Sequence, residues 1–62
     1  MVFKTYYNSK SIYLVDAIIA CEHLDVSRRV FDNALGDTMI EVVGSKEEMK
    51  IFKEIYAMVG GN

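Results

Sequence analysis

The stretch from Thr38 to Gly61, TMIEVVGSKEEMKIFKEIYAMVGG, leaves the fewest options to any fold this chain adopts. Thr38 to Val43 is β-branched and apolar apart from Glu41, the pattern of a strand. Gly44 breaks the run. Ser45 then stands three residues before Glu48, the spacing of a capping box. In that motif the serine oxygen accepts from a free backbone N–H while the glutamate reaches back to the serine's own N–H. Helical periodicity carries on from Lys46 to Val59, and Gly60-Gly61 closes it. The rest of the chain has to pack against this strand and helix.

At about 100° per residue the helix divides into faces. Ile51, Phe52, Ile55, Met58 and Val59 form an apolar arc expected in the core. Lys46, Lys50, Lys53 and Ala57 lie opposite, the solvated face of an amphipathic helix. Met49 and Tyr56 fall on the border between core and lysines, a core margin that doubles as a candidate partner site with Lys53.

Toward the N-terminus, VFKTYY (2–7) is strand-like and Asn8-Ser9 is a turn candidate. Residues 11–15, SIYLV, read as a second strand, with Asp16 as the N-cap of a short helix from Ala17 to about Leu24. One helix from Ser11 to Leu24 is the competing reading. The hairpin is preferred because Ile12-Tyr13-Leu14-Val15 is a poor helical run. A faint echo at a shift of 28 lays Val2-Phe3 on Val30-Phe31, Ile12 on Ile40 and Val15 on Val43, which favours two degenerate ββα units. The expected fold is therefore α+β, of order ββαββα, one domain over residues 1–62, with two helices on one face of an antiparallel sheet and the other face open.

The second hairpin poses a charge problem. A two-residue loop at Gly36-Asp37 sets Asp32 opposite Glu41, and like charges directly opposed destabilise a sheet. A four-residue loop, Asn33 to Gly36, pairs Arg28 with Glu41 instead and is preferred. Alternation then places Phe3, Ile12, Leu14, Phe31, Ile40 and Val42 under the helices. Val2, Lys4, Tyr6, Tyr13 and Val15 take the open face, joined by Val30, Met39, Glu41 and Val43. So apolar a face, left uncovered, points to an interface.

Composition narrows the function classes. Among 62 residues, 52% are hydrophobic, the net charge is −2 and proline is absent, so the chain folds but hides only about 60% of its unfolded surface. Self-association is one of the few ways left to bury more. The acidic balance argues against nucleic acid as a partner. One cysteine, no secretory leader and no apolar run long enough to cross a bilayer point to the cytoplasm and away from membranes.

Catalysis finds no footing in these residues. Cys21, Glu22 and His23 are consecutive and diverge on a helix; Cys21 suits a small core position and His23 a helix C-terminus. One Cys with one His falls short of a zinc site, and no glycine loop cradles a phosphate. We therefore expect no enzyme, cofactor or metal. The expected role is a small protein-interaction module, inhibitory or adaptor in kind, acting through the sheet face (Val2, Lys4, Tyr6, Tyr13, Val15) and the helix edge (Met49, Lys53, Tyr56), and self-associating as a homodimer. The alternatives are a small regulatory ligand-binding domain with sites between subunits, and single-strand nucleic-acid binding through Lys4, Tyr6 and Tyr13.

Overall fold

A computed structural model describes residues 1–60; Gly61, half of the expected helix stop, lies outside the described residues. The elements run β1 (Phe3–Asn8), a 3₁₀ turn (Ser9–Ser11), α1 (Ile12–Glu22), β2 (Val26–Asp32), β3 (Thr38–Gly44) and α2 (Lys46–Val59). The three strands form one sheet in the order β1-β3-β2, both pairings antiparallel. The fold is α+β, as expected, but its order is βαββα.

The difference lies in residues 11–15. They are not a strand: α1 takes Ile12 to Glu22 as a single helix, the competing reading. Its β-branched residues are weak helix formers, yet the spacing Val15, Ile18 buries one stripe against Ile40 and Val42, and that burial outweighs propensity. Asp16, expected as an N-cap, sits inside the helix. The turn at Asn8-Ser9 exists in another form, with the Asn8 side chain accepting from Lys10 N–H at 3.0 Å to cap the 3₁₀ turn. Because β1 is followed directly by a helix, the two halves of the chain do not repeat, and the ββα echo has no structural counterpart.

The β2–β3 loop spans residues 33–37, one residue longer than expected, with Asp32 opposite Thr38. Asn33 organises it, its Oδ1 accepting from Leu35 N–H (2.9 Å) and Asp37 N–H (3.0 Å), and Gly36 supplies the left-handed turn at φ +85°. The opposite-charge partner of Glu41 is accordingly Arg29, not Arg28. One residue of slip also exchanges the faces of β2. Val30 opposes Ile40 on the helix side, while Phe31 opposes Met39 on the open side.

The core is Val15, Ile18, Ile40, Val42, Met49 and Phe52. In α2 the buried stripe is rotated from the expected arc. Met49 and Phe52 point inward, whereas Ile51 and Met58 are exposed. Docking against β1 explains the rotation: Tyr56 stacks on Tyr7 at 4.2 Å between centroids, and Phe52 lies 5.9 Å from Tyr7. The N-cap is as expected, with Ser45 Oγ accepting from Glu48 N–H at 3.3 Å. Glu48 does not close the box. Its carboxylate accepts from Asp25 N–H at 3.0 Å, tying the α1–β2 connection to the start of α2.

Candidate functional site

Two regions gather the chemistry this chain has. The first is the open sheet face. Glu41, on the central strand, is flanked by Arg29 (3.4 Å), Tyr6 OH (3.3 Å) and, at the limit of ion pairing, Lys4 (3.9 Å). Tyr6 and Phe31 meet edge to face across the central strand at 6.0 Å, and the Arg29 guanidinium lies 4.9 Å from the Phe31 centroid. Loss of solvent pushes the Glu41 carboxyl up, but hydrogen bonding and charge from Arg29, then Lys4 and Tyr6, outweigh it and hold the group below the usual glutamate range. Glu41 is ionised, nearly covered and fully partnered. This is a structural cluster that binds three strands together, with Tyr6 still half-exposed on top.

The second region opens between β1 and α2. After β3, the helix turns back and runs alongside β1. At one end the seam is shut by the Tyr7–Tyr56 stack and by a 2.8 Å hydrogen bond between Ser11 Oγ and Tyr56 OH. Burial raises the Tyr7 phenol, partly offset by the Thr5 hydroxyl and reinforced by Tyr56, so the Tyr7 ring stays neutral at ordinary pH. At the other end the seam parts into a cleft of ≈ 290 Å³ lined by Phe3, Lys4, Lys46, Met49, Lys50 and Lys53. Four of the seven basic residues of the chain stand around it, and no acidic side chain among the described residues lines it.

The sequence-predicted residues are thus partly regrouped. Lys4, placed on the sheet face, and Met49 with Lys53, placed on the helix edge, come together in one cleft. Tyr6 is on the open face as expected. Tyr13 is not: it projects from α1, 85% exposed, on the helix layer and away from Lys4 and Tyr6. Val15 is fully buried in the core, and Val2 precedes β1 and is exposed. Tyr56 belongs to the aromatic seam. The stacking platform of Lys4, Tyr6 and Tyr13 does not assemble, because residues 11–15 are helical.

Phe3, Lys46 and Lys50 are the cleft residues that sequence reasoning missed, Phe3 assigned to the core and the lysines to solvent. Their signal was the basic stripe 46, 50, 53 on α2; what was lacking was the knowledge that β1 lies beside it. Cys21 is exposed rather than core, in a second groove of ≈ 230 Å³ between the helices, with Leu14, Ile55 and Val59. His23 caps α1 in the left-handed region at φ 52°. Among the described residues no group of three His, Cys, Asp or Glu is placed to hold a metal ion, and no helix is long and apolar enough to cross a membrane. The chain matches no protein-family profile, no curated protein and no solved structure.

Proposed function

We propose that this domain is a protein-interaction module whose contact surface is the lysine-rimmed cleft between β1 and α2, and that it takes an acidic segment of a partner protein. The observation that carries the reading is the concentration of charge. In a chain of net charge −2, four lysines surround an apolar floor of Phe3 and Met49. Lysines scattered over a surface hold solvent. Lysines gathered round a concave apolar floor favour a ligand that brings carboxylates and a hydrocarbon group together, and they speed its arrival by electrostatic steering. The cleft is at the small end of what encloses a drug-sized molecule, so one anchoring side chain suits it better than a whole organic ligand.

Fluorescence anisotropy with labelled peptides tests this. Acidic peptides carrying one aliphatic residue should bind, neutral and basic versions should not, and Lys50→Glu with Lys53→Glu should abolish binding while Lys10→Glu leaves it intact. Equal binding of all three peptide classes, or indifference to the double reversal, refutes the reading.

A further inference from the structure

The cleft contains a geometric clue to how its occupant lies. Phe3 and Lys4 are consecutive residues of β1, and consecutive strand residues project to opposite faces of a sheet. Both nevertheless line the same cavity. The cavity therefore lies against the first two residues of β1, where the free edge of that strand begins. That edge is unpaired, since β1 has β3 on one side and no strand on the other among the described residues. Its outward N–H and C=O groups are a template for another strand.

We propose, resting on the reading above, that the partner segment binds as an added strand along β1, its backbone hydrogen-bonded to that edge and its side chains alternating between the cleft and the open face. Side chains on the helix side would set an aliphatic residue over Phe3 and Met49 with a carboxylate two positions to either side. Those carboxylates stand about 13 Å apart in an extended chain. Lys46 and Lys53 are separated by about 10 Å along α2, a difference that flexible lysine stems absorb. Side chains on the other side meet Lys4 and Tyr6. This mode takes its affinity from main-chain bonds and its specificity from alternate side chains. A second copy of this chain is a poor occupant, because pairing two β1 edges would crowd two sets of four lysines.

The probe is a blocked peptide, Thr-Glu-Thr-Ile-Thr-Glu-Thr, titrated against the full chain, with a series N-methylated at one backbone nitrogen at a time. Strand addition predicts a period of two: methylation at alternate positions weakens binding about tenfold or more, and at the positions between has little effect. Lys50→Glu with Lys53→Glu should also abolish binding. A flat N-methyl profile with lysine dependence retained overturns strand addition and keeps the acidic-segment reading. No binding of the peptide, or its displacement by oligothymidylate of equal charge, overturns both. Persistence of the period of two in a Phe3→Ala variant that folds, with affinity reduced, separates loss of the anchor from loss of the edge; loss of the period with affinity unchanged counts against the proposal.

Discussion

The two edges of the sheet hold their cations in different ways. On the β2 edge both arginines are matched: Arg28 makes a bidentate pair with Asp16 of α1 at 2.5 and 3.1 Å, and Arg29 reaches Glu41 at 3.4 Å. On the β1 edge Lys4 only approaches Glu41, and Lys46, Lys50 and Lys53 have no carboxylate within ion-pair distance among the described residues. Arginine, with its planar fork, suits fixed pairs, whereas lysine carries a mobile point charge. One edge uses charge to hold elements of this chain together. The other leaves three lysines of α2 without a carboxylate partner among the described residues.

Removing the support under the β1 edge should break this contrast most severely. Phe52 is fully buried and braces Tyr7 from below. Phe52→Ala should cost about 3–5 kcal/mol in a denaturant melt, enough in so small a domain to prevent folding. Glu41 comes next, because among the described residues it is the one carboxylate that reaches cations of both edges. Its folded-state pKa is held below the ordinary value, so its stabilising effect is complete above the unfolded pKa of about 4.3 and disappears as pH falls through the lower folded value. Thermal melts from neutral pH to about pH 3 should show wild type more stable than Glu41→Gln at neutrality, with the gap closing in acid. A gap that persists unchanged in acid would assign the loss to packing instead.

Smaller changes sharpen the comparison. Ser45→Ala removes the cap of the helix that walls the cleft and should cost about 1 kcal/mol, read as a lowered urea midpoint with unchanged slope. The least effect is expected at the surface cations, and there the two edges should part. Arg28→Gln breaks an ion pair whose partners are both more than a third exposed, so it should cost no more than about 1 kcal/mol and leave peptide binding untouched. Lys50→Gln with Lys53→Gln should leave stability within about 0.5 kcal/mol while weakening binding of the acidic peptide. If the lysine pair changed stability and Arg28 changed binding, the edges would have been assigned the wrong way round.

Much of the fold was legible where local signals agreed. Thr38–Val43, the cap at Ser45 and the helix to Val59 lie where strand propensity, capping and periodicity all point the same way. The conflict at residues 11–15 was decided by long-range burial: Val15 has strand propensity, yet the site that completes the core is on a helix. In the β2–β3 hairpin the charge argument correctly rejected the shortest loop, but it could not distinguish Arg28 from Arg29 without knowing that Asn33 would bridge to Asp37. The cleft was half legible. Lys46, Lys50 and Lys53 were visible as a stripe with Met49 on its border, but their meeting with Phe3 and Lys4 depends on strand order, which no local pattern encodes.

That strand order also sets a timetable. The central strand of the sheet is the last of the three in the chain, so a nascent polypeptide ending before residue 38 holds β1, α1 and β2 without a single strand pair. Once β3 emerges, its short connection to β2 closes at low entropic cost, whereas β1 must be recruited across the whole of α1 and β2. The edge proposed to receive a foreign strand is thus the one joined to its own sheet by the longest closure. Native-state hydrogen exchange should find the amides of β1 opening before those shared by β2 and β3; uniform protection across all three strands would mean that the sheet opens as one unit.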